Sequence, residues 1–228
     1  MENKRPGPFR RSLVFSLQLT ALISVLHVVR VATTFPPLSW GILPRDTDGL
    51  IGVVFAPLLH GSWGHLFSNM PPLAALTFIL FYFYRRIAWQ AFSMIYLLTG
   101  AAVWTLGRGD VVHVGASGVV YGLVAFVFWS GVFRRNIKSI ILALIVLMYY
   151  GSMFMGIVPG QEGISWESHL LGALTGVFAA FWYKNNKEND ETPPRYSWED
   201  EGPAQEDTFF LDRDVFEKTK AERRDRHW

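Results

Sequence analysis

The sequence predicts an all-α membrane protein: a bundle of six transmembrane helices, followed by a disordered tail in the cytoplasm. The uneven distribution of charge leads to this fold class. Residues 1–183 hold 12 Lys or Arg and 6 Asp or Glu, so 18 of 183 residues are charged, a far smaller share than the 25 % or so that soluble domains carry. Residues 184–228 hold 9 Lys or Arg and 13 Asp or Glu, so 22 of 45 are charged, which is too many for a segment that must build its own core. We therefore expect a membrane domain over 1–183 and a tail over 184–228.

Six apolar segments are long enough to cross a bilayer, which takes about 20 mostly apolar residues per helix. They are residues 12–32, 66–84, 88–106, 115–133, 139–157 and 168–183. None alternates with a period of two residues, which argues against a transmembrane barrel.

The first segment also follows a basic start, as a cleaved signal peptide does. It is longer than a usual signal core and contains Gln18 and His27, so a spanning helix is favoured.

Basic residues between the segments predict the orientation, because Lys and Arg collect on the cytoplasmic side of a membrane. Eleven of them flank the segments on one side, and only Arg30, Arg45 and Arg108 lie on the other. Six crossings then place both termini in the cytoplasm, and in a bacterium the membrane would be the cytoplasmic (inner) one. The long loop over residues 33–64 faces outward, and loops of that length are often functional.

Three groups of polar residues begin apolar segments, and each is a candidate site because polar side chains are costly inside a membrane. The groups are His65 and Asn69 in the second segment, Gly115, Ser117, Gly118, Tyr121 and Gly122 in the fourth, and His169, Gly172 and Gly176 in the sixth. By the charge argument, all three lie at the outward ends of their helices. They are therefore expected to meet at one depth.

Ser117 and His169 are the candidate catalytic pair. A serine hydroxyl is a weak nucleophile until a neighbouring base takes its proton. Ser117 begins a helix, where unpaired backbone N–H groups and the helix dipole favour developing negative charge. His65 and Asn69 are four residues apart and share one helical face, and both can donate hydrogen bonds to an oxyanion.

The spacing of glycines predicts how Ser117 and His169 come together. Gly118 and Gly122 are four residues apart, and so are Gly172 and Gly176. Small residues at this spacing let membrane helices approach closely. If the fourth and sixth helices pack through these faces, Ser117 and His169 come within hydrogen-bond distance, and Tyr121 packs against the imidazole.

An acidic third member of a triad is not evident. Glu167 precedes His169 by two residues, so on a helix its side chain points elsewhere, and Asp110 and Glu162 lie in loops. The sequence therefore favours a dyad in which packing orients His169. The chain has no Cys, which excludes a thiol nucleophile and thiolate-bound metals. We expect no cofactor, no metal and no nucleic-acid partner.

Taken together, the motifs resemble those of the rhomboid family of intramembrane serine proteases, over most of residues 12–183. The matching motifs are His65-x-x-x-Asn69, Gly115-x-Ser117-Gly118 with Tyr121, and His169-x-x-Gly172-x-x-x-Gly176. The resemblance implies a rhomboid-like bundle of six helices with a water-accessible site below the outer surface. The partners it implies are the lipid bilayer and membrane-anchored protein substrates, which are cut in their transmembrane segments.

The resemblance also implies roles for individual residues. Ser117 would attack the peptide bond, and His169 would serve as general base and then as general acid. His65, Asn69 and the backbone N–H of Ser117 would stabilise the oxyanion. Many family members carry a Trp-Arg pair in the first loop, whereas Trp40 and Arg45 are separated here, so the structure of that loop is left open.

Two other functions and one alternative for the tail remain. A protein that holds membrane helices without cutting them would not need Ser117 and His169. A small transporter would be expected to show an internal repeat and polar groups at the membrane midplane, and neither is evident. In the tail, apolar residues within 207–226 allow a short helix that docks on a partner or on the membrane surface.

Overall fold

The computed structural model describes residues 7–159 and 165–188, and residue 219. The chain divides into two units, Met1–Glu191 and Thr192–Trp228, and the helices described below belong to the first. Apart from Thr219, the predicted tail beyond Glu188 lies outside the described residues. So do the apolar positions on which the alternative of a docking helix rests.

The described part of the chain is all-helical, as predicted. Its α-helices are α1 (Pro8–Thr33), α2 (Gly52–Phe55), α3 (Trp63–Phe83), α4 (Ala88–Leu106), α5 (Ser117–Arg134), α6 (Ile137–Tyr150) and α7 (Trp166–Trp182). Short 3₁₀ helices occupy Leu38–Trp40, Asp48–Ile51, Ala56–Leu58 and Gly151–Ile157. No strand forms among these residues, and an isolated bridge joins Ile42 to His113.

Each predicted segment corresponds to one of the six long helices, and the fifth needs a correction. The sequence predicts one helix over 139–157, but α6 ends at Tyr150 and the chain continues as the 3₁₀ helix Gly151–Ile157. Gly151 and Gly156 fall in this stretch, and glycine is a poor α-helix former.

By length and composition, three of the described helices could cross a membrane: α1, α3 and α5. Helices α6 and α7 have 14 and 17 residues, fewer than the roughly 20 of a typical span. The count of six spans therefore stays a prediction. Large apolar side chains of α1, such as Leu17 and Val25, are exposed, which suits a helix that faces lipid.

Helix α5 lies at the centre of the bundle. It contacts α3, α4, α6 and α7, and 12 of its 18 residues are buried. Its apolar side chains, Phe126 among them, join the main core with Leu76 of α3 and Ile95 of α4. Because Ser117 is the first residue of α5, this core fixes its position.

Helices α5 and α7 pack through the glycine pairs that their spacing singles out. A Cβ atom added at Gly172 would lie 2.0 Å from the carbonyl oxygen of Gly118, and one added at Gly176 would lie 2.0 Å from that of Gly122. Only a hydrogen atom fits at such a distance. The contact brings the first turns of α5 and α7 together.

The loop between α1 and α3 packs against the rest of the unit. Helix α2 contacts α4, and the backbone of Ile42 exchanges two hydrogen bonds with His113. Trp40 packs against Phe55, whereas Arg45 donates to the carbonyl oxygen of Gly107 at 2.7 Å. The two residues that a Trp-Arg pair would join thus make different contacts in this loop.

Candidate active site

A cavity of about 980 Å³ lies where the first turns of α3, α5 and α7 meet. The predicted residues His65, Asn69, Ser117, Tyr121 and His169 all line it. The loop before α5 and the 3₁₀ helix after α6 complete the wall. The first two turns of three different helices thus deliver the predicted side chains to one space.

Ser117 enters this space from the end of a tight turn. Gly115 adopts φ +113°, a conformation that glycine tolerates far better than other residues. A Cβ atom there would also lie 2.5 Å from Nε2 of His65. Gly115 therefore allows the chain to turn into α5 and makes room for the imidazole of His65. The first N–H groups of α5, at Ser117, have no partner within the helix.

His169 is held from two sides. Its Nδ1 lies 2.8 Å from the carbonyl oxygen of Gly156, and its ring stacks on Tyr121 with centroids 4.1 Å apart and planes 9° apart. A carbonyl oxygen only accepts, so this contact assigns the proton of the neutral ring to Nδ1 and leaves Nε2 as the acceptor. The Tyr121 hydroxyl donates to the carbonyl oxygen of Met153 at 2.6 Å, which fixes the stacked ring in turn.

Gly156 is the site residue that the sequence reasoning missed. A Cβ atom at this position would lie 2.1 Å from the Tyr121 hydroxyl and 3.2 Å from Nδ1 of His169. Only glycine lets its backbone carbonyl reach the imidazole beside the tyrosine. The one available signal is a glycine near the end of an apolar segment, and that signal is weak because such glycines are common in membrane helices.

The acidic residues considered for a triad do not bond His169 in the described part of the chain. Glu167 is buried and forms an ion pair with Arg108. Asp110 is exposed in the loop before α5, and Glu162 lies outside the described residues. A backbone carbonyl and an aromatic face thus orient the imidazole.

His65 and Asn69 lie on one face of α3 and line the cavity that Ser117 also lines. The Asn69 amide donates to the carbonyl oxygen of His65 at 2.7 Å. Nδ2 of Asn69 also lies 3.5 Å from Oγ of Ser68, a contact at the long limit of a hydrogen bond, so the second hydrogen of the amide is only weakly held. The N-cap of α3 is Ser62, whose Oγ accepts from the backbone N–H of His65 at 3.2 Å.

His60 is a further buried histidine beside the site. Its Nε2 accepts a long hydrogen bond of 3.5 Å from the backbone N–H of Ala116, and its ring lies 5.0 Å from that of His65. Burial, and then the neighbouring His65, lower the pKa of His60 to about 3. A neutral His60 thus supports the segment that ends in Ser117.

Among the described residues, no group of three or more His, Asp or Glu could hold a metal ion.

The sequence matches one protein family and several individual proteins. The model of the Rhomboid domain family matches residues 47–186. An uncharacterized protein of Mycobacterium tuberculosis is 43 % identical over 150 residues, covering 62 % of this chain and 62 % of that protein. An uncharacterized protein of Mycobacterium leprae is 35 % identical over 174 residues, covering 72 % and 68 %. Rhomboid-like protease 5 of Toxoplasma gondii is 27 % identical over 149 residues, covering 60 % and 16 %.

The family match includes all three polar motifs and the cavity that they line. The chain spans 62 % of the length of the Mycobacterium tuberculosis relative. Its apolar helices and its family together identify an integral membrane protein. With the Rhomboid domain covering more than half of its length, the chain belongs to the rhomboid family.

Proposed function

We propose that this protein is an intramembrane serine endopeptidase, a hydrolase that cleaves transmembrane segments of membrane-anchored substrate proteins with a dyad of Ser117 and His169. The observation that carries the proposal is the setting of His169. With its proton on Nδ1 and shared with the carbonyl oxygen of Gly156, Nε2 is the nitrogen able to accept a proton inside the cavity that Ser117 also lines.

The packing of α5 on α7 supports the pairing of these two side chains. A Cβ atom at Gly118, next to Ser117, would lie 3.1 Å from the carbonyl oxygen of Ser168, next to His169. The two backbones therefore touch within one residue of both proposed catalytic groups. Among the described residues no hydrogen bond joins Ser117 to His169. The helix contact supports their approach to hydrogen-bond distance when substrate binds, and proton transfer requires that approach.

The reaction follows the usual course of acyl transfer. The Ser117 oxygen attacks the carbonyl carbon of the substrate, and its proton passes to Nε2 of His169. The oxyanion that forms is stabilised by donors from His65, Asn69 and the backbone N–H of Ser117. The C–N bond then breaks, and the leaving amine takes the proton from His169. Water hydrolyses the acyl-enzyme with His169 again as the base.

Substrate class and membrane orientation belong to the same proposal. A peptide bond in a helix must unwind before it can be attacked, and unwound backbone is tolerated at membrane depth only inside protein or in a wet cavity. The cavity at the first turns of α3, α5 and α7 meets that need. We further propose six spans with both termini in the cytoplasm, in the cytoplasmic membrane if the cell is bacterial. Ser117, His169 and the neighbouring cavity then face outward.

The test is the cleavage of a transmembrane reporter substrate by detergent-solubilised protein. We expect Ser117→Ala and His169→Ala each to lower the rate by at least roughly a thousandfold, with both variants still folded. Ser93→Ala is the matched control, because Ser93 lies on an exposed position of α4 away from the cavity. Cleavage by Ser117→Ala at the rate of the unmodified protein would contradict the proposal.

A further inference from the structure

The loop that joins α4 to α5, residues 107–116, is tied to the start of α7 by side chains at two points. Arg108 pairs with Glu167, and Nδ1 of His113 lies 2.6 Å from Oγ of Ser165. The loop leads directly into Ser117, and the start of α7 leads directly into His169. The two ties therefore join the segments that carry the proposed nucleophile and the proposed base.

Glu167 depends on Arg108 for its charge to be tolerated. Its side chain is 7 % exposed, whereas that of Arg108 is 53 % exposed. Oε1 bonds the guanidinium, and Oε2 is buried without a hydrogen-bond partner among the described residues. Removing one member of such a pair leaves an uncompensated buried charge, which is strongly destabilising. Glu167 also lies in the first turn of α7, where the helix dipole favours an acid.

His113 closes the connection from the other side. Its Nε2 lies 3.2 Å from the carbonyl oxygen of Arg108, which can only accept, so Nε2 carries the proton of the neutral ring. Nδ1 then accepts from the Ser165 hydroxyl. Ser165 is the N-cap of α7, and its Oγ accepts from the backbone N–H of Ser168. A closed circuit thus runs from Arg108 through His113, Ser165 and α7 to Glu167 and back to Arg108.

We propose that this circuit, called here the outer clasp (Arg108, His113, Ser165 and Glu167), positions His169 relative to Ser117. The inference rests on the proposed function and names the device that aligns the dyad. The glycine contacts fix α5 and α7 along their length, whereas the outer clasp fixes the chain that enters each helix. Its members are positioning residues: they act on the reaction through the placement of Ser117 and His169.

The experiment compares variants of the full chain in detergent. It measures kcat and KM on a transmembrane reporter, and the rate at which a fluorophosphonate labels Ser117. We expect Arg108→Gln and Glu167→Gln each to lower kcat and the labelling rate at least about tenfold, with KM within about twofold. Arg108→Lys, which keeps the charge, should recover most of the loss. The double variant should be no worse than either single one, because both remove the same tie.

Arg85→Gln serves as the control. Arg85 is exposed in the turn between α3 and α4, which follows the end of α3, whereas the cavity lies at the beginning of α3. Unchanged kcat and labelling in Arg108→Gln would overturn the inference, and so would Arg108→Lys behaving like Arg108→Gln. Should Arg108→Gln fail to fold because it leaves the buried Glu167 carboxylate without its partner, Glu167→Gln, which removes that charge, still decides: unchanged kcat and labelling in Glu167→Gln would overturn the inference. Absence of Ser117 labelling in the unmodified protein would instead reject the proposed function itself.

Discussion

In two histidines of this site, a backbone carbonyl oxygen determines which ring nitrogen carries the proton. In both His169 and His113, one ring nitrogen faces a carbonyl group, so the other nitrogen of the neutral ring is an acceptor. In His113 that acceptor is satisfied by Ser165. In His169 it is the nitrogen that we propose takes the proton of Ser117. The same local chemistry therefore yields one structural imidazole and one proposed base.

The titration of His113 gives a prediction for stability against pH. Burial lowers its pKa below the ordinary value, and the Arg108 guanidinium adds to this, whereas the Arg108 carbonyl and the charges of Glu167 and Asp110 act in the opposite direction. The unfolded chain takes up a proton near pH 6.5 and the folded chain only at lower pH. The stability that His113 contributes is therefore present above about pH 6.5 and is lost as the pH falls below it.

Thermal unfolding in detergent measures this effect. We expect the midpoint of the unmodified protein to fall between about pH 7.5 and about pH 5, and to fall less in His113→Gln. The glutamine side chain does not titrate in this range, so it removes the contribution of this one group. An equal fall in both proteins would show that other groups cause the pH dependence.

At the scale of helices, the glycine contact between α5 and α7 makes a sharp prediction. Gly172→Ala places a methyl group 2.0 Å from the carbonyl oxygen of Gly118, so the two helices must separate. We expect a loss of about 1–3 kcal/mol in the free energy of unfolding, together with slower cleavage, measured by thermal or denaturant unfolding and by the reporter assay.

Gly64→Ala is the matched control in another helix. At Gly64, in the first turn of α3, the nearest atom to an added Cβ is Ser62 Oγ at 4.0 Å. Alanine is a better helix former than glycine, so stability should be unchanged or slightly higher. Equal stability of Gly172→Ala and the unmodified protein would contradict close packing of α5 on α7.

The helices themselves follow from the sequence to a large extent. Apolar length and flanking charge predict α4 at its observed bounds, Ala88–Leu106, because a run of apolar residues without internal charge leaves few other structures. The change from α6 to a 3₁₀ helix at Gly151 is not predicted. A glycine weakens an α-helix but does not by itself decide where it ends, since tertiary contacts decide that.

The site, like the helices, is predicted from the sequence only in part. Spacing predicts that His65, Asn69, Ser117 and His169 belong together, because each falls at the outward end of an apolar segment. The carbonyl of Gly156 carries no side-chain signal at all. The pairing of Arg108 with Glu167 joins residues 59 positions apart, and no local pattern predicts contacts at that separation. The chemical roles of the site residues stay proposals.

For the molecule as a whole, the end of the membrane unit is a testable feature. The backbone N–H of Arg86 donates to Oε1 of Glu188 at 2.8 Å, and its guanidinium donates to the carbonyl oxygen of Lys187 at 2.9 Å. Glu188 is buried. Residues up to 188 thus pack against the turn between α3 and α4, although the charge pattern starts the tail at residue 184.

Two truncations measure the contribution of this contact. A chain that ends after Glu191 should unfold at the midpoint of the full chain and cleave the reporter at the same rate. A chain that ends after Tyr183 lacks Lys187 and Glu188, and we expect it to lose about 1–3 kcal/mol of unfolding free energy. Equal midpoints for the two truncations would contradict this.

The arginines on the predicted outer side are each bound by protein acceptors. Arg30 donates to the carbonyl oxygen of Gly61, Arg45 to that of Gly107, and Arg108 to the carboxylate of Glu167. Lys and Arg otherwise collect on the cytoplasmic side. Each of these three arginines thus has a structural partner: Arg30 joins α1 to the loop before α3, Arg45 joins two loops, and Arg108 joins the loop before α5 to α7.

The central claim is that Ser117 is a nucleophile activated by His169. Mass mapping of the folded, detergent-solubilised protein after reaction with a fluorophosphonate tests it most directly, because the probe bonds covalently to an activated serine. We expect one adduct, on Ser117, which is absent from Ser117→Ala and strongly reduced in His169→Ala. A folded protein that carries no adduct on Ser117, or that is labelled equally well without His169, would contradict it.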